Sequence, residues 1–347
     1  IQPDELDLNP MLLNVRNGVI DLTTGELLPH DRKYFITKYI DVDYDPKANC
    51  PKFEAFVKLI TGNDPDEQLF LEKAVGYTLT GLTDEHCLFF LFGSGANGKT
   101  TFTEAIRRLM GDYALRVDIE ALMQSWSTGT NASPYIARMA GSRFVLASEI
   151  PENRKINESL VKDLTGGDSM TARFLFSNPF TFLPVHKLWI FGNYKPKVTG
   201  TDLGFWRRMR VIPFPVTIDE SIRRPMSEVL AEFEDEYPGI LTWAVLGTQF
   251  WQNEGLAMSE TIREASDEYR KESDVVQQFI EDRCEMHPDY EVEKDRLYAV
   301  WRTWCDDNGE EGAKRHTKKW FTRQFTDRGM VPCGDGRKSL KGVRIRN

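Results

Sequence analysis

Cysteine is scarce in this chain: five in 347 residues, with no CxxC pair, and the five histidines fall in no metal-ligand spacing. A zinc site and a disulfide framework are therefore not expected, and a reducing compartment, the cytoplasm of a host cell, fits the composition. Long apolar runs are missing too. The longest, at residues 87–92, falls far short of the roughly 18 residues a membrane span requires and suits a buried strand instead. Internal repeats and low-complexity linkers are absent, as is a signal peptide. The chain starts at Ile1, which reads as a piece of a longer polypeptide.

What is present is ample core-forming material. The chain is 41% hydrophobic and 28% charged, with eight Trp and twenty-one Phe, which excludes a disordered or fibrous class. Its length predicts two or three packed units. The formal charge of −9 alone argues against nucleic acid, but its distribution is uneven. Residues 314–347 hold eleven Lys or Arg against Asp327 and Asp335, a balance of +9, so residues 1–313 carry −18. Such a split points to a localised polyanion contact.

Residues 1–85 read as short strands and then helices. Asn17-Gly18 between apolar runs is a hairpin signal. From 50 to 80 the apolar spacing becomes helical, with Phe53, Phe56, Val57 and Ile60 on one face and a break at Gly62-Asn63-Asp64-Pro65. This predicts a helical collar. Residues 86–216 alternate strand candidates at 88–92, 143–148, 187–191 and 209–214 with helical stretches, the pattern of a mostly parallel α/β sheet. Residues 217–272 return to helical period, and 273–347 form the basic terminal unit.

The chemistry is expected at the end of the first buried strand. Gly93-Ser94-Gly95-Ala96-Asn97-Gly98-Lys99-Thr100 satisfies GxxxxGK[ST] between an apolar run and a helical stretch that opens at Thr101. Glycines let successive N–H groups turn inward around a phosphate, and the helix N-terminus adds partial positive charge. Lys99 should then reach the β and γ phosphates and Thr100 should place its hydroxyl on Mg²⁺. Hydrolysis also needs a carboxylate. Glu149 supplies it at the end of the strand at 143–148, with Ser148 in the outer metal shell. Asn193, ending a third strand, can bond the γ-phosphate or the lytic water. Arg207-Arg208, just before the last strand, can neutralise transition-state charge.

With these elements in this order, the chain resembles the helicase part of phage and plasmid primase-helicases, the poxvirus-type branch of the superfamily 3 helicases. Asn14-Val-Arg-Asn-Gly18, Thr24-Gly25 through His30, and Lys162-Asp-Leu-Thr-Gly-Gly-Asp168 through Ala172-Arg173 carry the likeness further. The resemblance implies a P-loop, AAA+-like ATPase core with a helical N-terminal collar and a C-terminal winged helix, using ATP and Mg²⁺. It implies Lys99 and Thr100 as the Walker A pair, Glu149 as the Walker B acid and Asn193 as sensor. Arg208 would be the finger acting on a neighbour's ATP, with Arg207 in reserve. A hexameric ring on single-stranded DNA is implied, as is a primase or polymerase module in the same polypeptide or replisome.

In that family a hairpin ahead of the sensor strand grips DNA in the channel. Here residues 174–182 should form it, with Phe176, Ser177 and Asn178 near the turn and Arg173 and Lys187 flanking. The tip has no basic residue, so bonding from amide and hydroxyl groups or phenylalanine stacking would do the holding. In the terminal unit, helical stretches at 275–281, 295–305 and 317–328, then extended pieces around a Gly334-Asp335-Gly336 turn, spell a winged helix. Lys318, Lys319 and Arg323 would face a groove of duplex DNA while Arg337 and Lys338 on the wing touch phosphate. Two other readings stay open: an ATP-controlled origin-binding or assembly switch without unwinding, and a P-loop kinase acting on a small molecule.

Overall fold

Our computed structural model describes residues 5–124, 133–152, 154–198 and 202–346. The first element is an antiparallel sheet of β1 (Leu12–Val15), β2 (Gly18–Asp21) and β3 (Glu26–Leu28). Val15 pairs with Gly18, so the connection is Arg16-Asn17 rather than the Asn17-Gly18 expected from sequence. Asn17 is held by tertiary contact: its Oδ1 accepts from Tyr44 N and its Nδ2 donates to Tyr44 O, both at 2.9 Å. Helices α1 (Pro51–Ile60) and α2 (Pro65–Leu79) follow, each opening on a proline whose missing N–H is no loss at that position. The Asp64 carboxylate caps α2 by accepting from the N–H groups of Asp66 and Glu67.

Next come β4 (Leu88–Phe92), α3 (Lys99–Leu109), β5 (Ala114–Asp118), α4 (Ser133–Met139), β6 (Phe144–Ser148) and α5 (Glu158–Leu164). A two-stranded ribbon of β7 (Met170–Ala172) and β8 (Phe180–Phe182) precedes β9 (Lys187–Gly192), α6 (Leu203–Trp206) and β10 (Met209–Pro213). The main sheet is parallel throughout, in the order β10-β4-β9-β6-β5. Four of its strands are legible as apolar runs; β5 is not. It is an edge strand, and unlike β10 at the other edge it buries only Val117 of its five residues, so no continuous apolar run marks it. Helices α7 (Met226–Glu234), α8 (Tyr237–Glu254) and α9 (Glu260–Ser273) close the series.

One core runs from Leu13 to Ile262. Trp189 sits at its centre on β9, with ring centroids 4.5 Å from Phe89 and 5.7 Å from Phe144. Phe53 of α1 meets Trp243 of α8 edge-on at 5.2 Å. Burying a side chain of this size contributes about 1.5–3 kcal/mol. The collar helices, the parallel sheet and most of the following helical stretch thus share one compact unit, Ile1–Lys197 with Asp202–Asp267.

A second unit holds Glu268–Asn347. It contains α10 (Val275–Arg283), β11 (Cys284–Glu293), α11 (Lys294–Asp307), α12 (Glu311–Lys314), α13 (Lys318–Asp327), β12 (Val331–Cys333) and β13 (Ser339–Ile345). Its own core gathers Phe279, Trp301, Trp304, Phe321 and Phe325. The three strands are antiparallel in the order β11-β13-β12. Strand β11 has no apolar run or strict alternation to reveal it: it exposes most of its residues, carries Pro288, and shifts register between Met286 and Glu291. All five cysteines are free. No helix among the described residues is long and apolar enough to cross a membrane.

Candidate functional site

The strand order sets the site. In a parallel sheet every strand delivers its carboxyl end to the same edge. Because β9 lies between β4 and β6, the loop after β4, Asn193 after β9 and Glu149 after β6 emerge side by side. They line one cleft of about 580 Å³ together with Ala96, Thr100 and Tyr194.

The glycine-rich loop is held from below by α1. Gly98 adopts φ +84°, and a Cβ there would lie 2.6 Å from Ile60 Cγ2, so a side chain would be both strained and blocked. From the other side, Ile218 N donates to Ala96 O at 2.9 Å. The Asn97 side chain is buried inside the loop, its Nδ2 donating to Phe214 O at 3.4 Å. Loop shape is therefore fixed without any ligand.

Within the loop Lys99 donates to Gly93 O at 2.8 Å, Asn97 Oδ1 at 2.9 Å and Asn193 Oδ1 at 3.2 Å. All three acceptors are neutral, and Lys99 is 4% exposed. Burial without a compensating anion pulls its pKa from 10.5 down to about 8. A buried cation beside a helix N-terminus, with no counter-charge, is chemically matched to a polyphosphate. Gly95, Gly98 and Thr101 line the cleft, whereas Gly93 and Ser94 are not among its walls.

Glu149 is exposed at the mouth and takes φ +66°. A non-glycine residue in the left-handed region costs of order 1–3 kcal/mol, and such strain concentrates at functional sites. Its N–H donates to Phe191 O at 3.3 Å, which ties the turn to β9. Ser148 corrects an expectation. Its hydroxyl is buried and bonded by Arg116 Nη2 at 2.8 Å, and it does not line the cleft. A guanidinium in that position disfavours a second cation, so Ser148 is no metal ligand here. Nothing about the edge strand β5 announced Arg116 in the sequence.

The arginine pair is divided by burial. Arg208 is 8% exposed, its Nε donating to Thr165 Oγ1 at 3.0 Å and its Nη1 to Gly204 O at 2.6 Å. Arg207 is exposed. Of the two, Arg207, the residue held in reserve on sequence grounds, is the exposed one.

A two-stranded ribbon does precede β9, but it begins earlier than expected: residues 170–172 of β7 pair with 180–182 of β8, and residues 174–178 lie in the connection. Ser177 N donates to Phe174 O at 3.2 Å, closing a turn whose third residue, Phe176, has φ +59° and is fully exposed. Phe174 stacks on Phe180 with centroids 5.7 Å apart, so it is packed while Phe176 is not. Ser177, Asn178 and Arg173 are exposed. Lys187 is not available to DNA. It is 1% exposed, and its ammonium donates to the carbonyls of Thr80, Leu82 and Val185 at 2.5, 3.1 and 3.2 Å. Burial and the nearby Arg143 hold its pKa well below the ordinary value. No local signal announces this burial, since a strand-initial lysine usually reaches solvent.

In the second unit, Lys319 and Arg323 are exposed on α13, and Arg337 and Lys338 are exposed between β12 and β13. Lys318 is paired with the Asp295 carboxylate of α11, which reduces its charge for other partners.

Fold and cleft define an α/β protein whose candidate site lies at the carboxyl edge of a parallel five-stranded sheet. Residues 1–62 match the family model described as D5 N terminal like, and residues 91–208 match a family described only as of unknown function. The chain is 30% identical over 299 residues to the "Putative helicase" of Acanthamoeba polyphaga mimivirus, covering 80% of this chain and 31% of that protein. It is 25% identical over 370 residues to the "Putative primase" of African swine fever virus (isolate Tick/Malawi/Lil 20-1/1983), covering 98% and 38%. It is 29% identical over 250 residues to the "Uncoating factor" of vaccinia virus (strain Western Reserve), covering 67% and 31%. The chain is a relative of the poxvirus-type helicase-primases. It spans about a third of the length of the curated relatives it matches.

Two apo structures of the NrS-1 C terminal region share the fold, with TM-scores of 0.53 and 0.52 at 12% and 11% identity. They cover 84% and 87% of this chain and 67% and 69% of theirs.

Proposed function

We propose that the chain is the ATP-hydrolysing motor of a replicative DNA helicase, assembled as a ring, a hexamer by family resemblance, in which each site is completed by a neighbouring copy. The observation that carries this reading is the convergence of Lys99, Asn193 and Glu149 on one cleft from three adjacent strands. The glycine-rich loop is then a P-loop. Lys99 exchanges its three neutral acceptors for phosphate oxygens, and the N–H groups at the start of α3 face the same anion. Thr100 and Glu149, both on the cleft wall, would hold Mg²⁺, which neutralises phosphate charge when bound. Glu149 also accepts the proton of the attacking water, and Asn193 orients that water. Arg207, exposed ahead of β10, is the residue suited to reach a neighbour's nucleotide.

DNA contact is assigned to two surfaces. The β7–β8 ribbon presents Phe176, Ser177, Asn178 and Arg173 to a single strand. The second unit, read as a winged helix, presents Lys319, Arg323, Arg337 and Lys338 to duplex phosphate. The relatives named as helicase and primase support a role in replication, in company with a primase or polymerase module.

The test is turnover of ATP with and without single-stranded DNA, run beside strand displacement. Both activities should be present in the wild type and absent in Lys99→Ala. Nucleotide binding and DNA binding without displacement would instead favour an assembly switch. Turnover indifferent to DNA would favour a small-molecule kinase.

A further inference from the structure

Two separate bonds join α5 to the segment that bears the arginine pair. Lys162 Nζ donates to Asp202 Oδ2 at 2.6 Å, and the other oxygen of Asp202 accepts from Gly204 N at 2.8 Å, capping α6. At the far end of α6, Arg208 Nε donates to Thr165 Oγ1 at 3.0 Å while its Nη1 returns to Gly204 O. Lys162 and Thr165, the residue that caps α5, lie one turn apart along the chain, so the carboxyl end of α5 holds both ends of the short helix. Thr165 is itself fixed: it is buried, and its carbonyl lies 3.0 Å from His86 Nδ1.

The same α5 leads into the ribbon. Only residues 165–169 separate its end from β7, and they include Gly167 at φ +80°, where a Cβ would lie 3.3 Å from Thr83 Oγ1. That leaves little slack between the Thr165 hydroxyl and the root of the ribbon. A displacement of the ribbon would therefore reach α5, and from α5 the two polar ties lead to α6 and Arg207.

We infer that Thr165 and Lys162 are positioning residues, which couple the ribbon's engagement with a single strand to the presentation of Arg207 toward the adjoining copy. Arg208 is then the anchor of the tie rather than the group that meets nucleotide. The inference rests on the proposed motor function and adds the route by which DNA controls hydrolysis. Coupling of this kind is demonstrated only when an element's position is biased from both sites, so the readout has to be a ratio.

The experiment measures ATP turnover of the full chain with and without oligo-dT, in wild type, Thr165→Val, Thr165→Ser and Lys162→Met. Val keeps the shape of Thr and removes the hydroxyl; Ser keeps the hydroxyl. The expected result is that the ratio of DNA-stimulated to DNA-free turnover falls to about 1 in Thr165→Val and Lys162→Met, and that Thr165→Ser retains it. Oligo-dT affinity and nucleotide affinity should stay at wild-type values in all three, which a merely structural lesion would not allow. Should Thr165→Val fail to fold, Lys162→Met decides, because its ion pair is partly exposed and its loss is tolerable. Wild-type stimulation ratios in both Thr165→Val and Lys162→Met overturn the inference and leave the motor intact. A wild-type protein with no DNA stimulation overturns the motor reading and the inference with it.

Discussion

The ammonium of Lys99 and the side-chain oxygen of Asn193 lie 3.2 Å apart, bridging the carboxyl ends of two neighbouring strands. With Gly93 O and Asn97 Oδ1 they form a closed polar set around a buried positive charge. An incoming phosphate must take Lys99 away from Asn193, which frees the amide to turn toward water or phosphate. The glycine-rich loop and the carboxyl end of β9 are therefore linked through Lys99.

This arrangement has a pH signature. Burial lowers Lys99 from 10.5 to about 8, so between those values the folded protein without nucleotide binds fewer protons than the unfolded chain. Stability attributable to this group should rise with pH through that window. A bound polyphosphate restores the charge, so binding takes up a proton and affinity falls as pH climbs above about 8. Calorimetry in buffers of different ionisation enthalpy should detect the uptake near pH 8 to 9, and Lys99→Met should lose it. Binding with no proton exchange there would contradict the account.

The two arginines should separate by phenotype. Arg207→Ala should fold normally and bind nucleotide, yet lose hydrolysis by ~10³–10⁵, the range such a guanidinium supplies elsewhere. Mixing it with Glu149→Gln subunits should restore partial turnover, since some interfaces then pair two intact residues. Arg208→Ala should lower the melting temperature, because Thr165 Oγ1 and Gly204 O lose a buried donor worth about 1–3 kcal/mol. Full stability in Arg208→Ala with hydrolysis lost would return the finger to Arg208.

Phe176 makes a cleaner probe of the ribbon than its neighbours. It is fully exposed, whereas Phe174 packs on Phe180. Phe176→Ala should leave melting unchanged and weaken oligo-dT binding by about 1–3 kcal/mol, with little change in salt dependence, since stacking releases no counterions. An unaltered affinity by fluorescence anisotropy would move the contact to Arg173 or Asn178.

For the second unit the expected signature is the reverse. Lys319→Ala with Arg323→Ala should weaken duplex binding across all sequences and flatten the salt slope by roughly 1 per lost phosphate contact. Lys318→Ala should do less, its charge being already paired with Asp295. An unchanged slope in the double variant would assign this face to protein contacts.

Much of the site could be read before folding because its signals are local. The GxxxxGK[ST] spacing, the acid and amide that end apolar runs, and the helical periods of α1 and α2 all depend on neighbours within a few residues. The ribbon was legible only in part: its second strand, Phe180–Phe182, lies in the phenylalanine-rich run, but its first, Met170–Ala172, precedes that run and carries no aromatic residue to mark it. Strands β5 and β11 were not, since an exposed edge strand needs no apolar continuity. Ser148, Lys187 and Arg208 were misjudged for one shared cause. Each is polar at a strand or helix end, where solvent is the usual environment, and each is instead satisfied by a residue distant in sequence: Arg116, the Thr80 and Leu82 carbonyls, and Thr165.

The amino-acid order alone determined the chemistry on offer: a cationic loop, a carboxylate, an amide, a pair of guanidiniums, and a basic terminal segment within an acidic chain. Tertiary structure decided which of them face the cleft, which guanidinium meets solvent, and that α1 from the collar seals the loop from beneath through Ile60 and Gly98. The physical reason is that residue type and spacing fix what a group can do, while burial and its polar partners fix whether it is free to do it, and those partners are chosen by strand order.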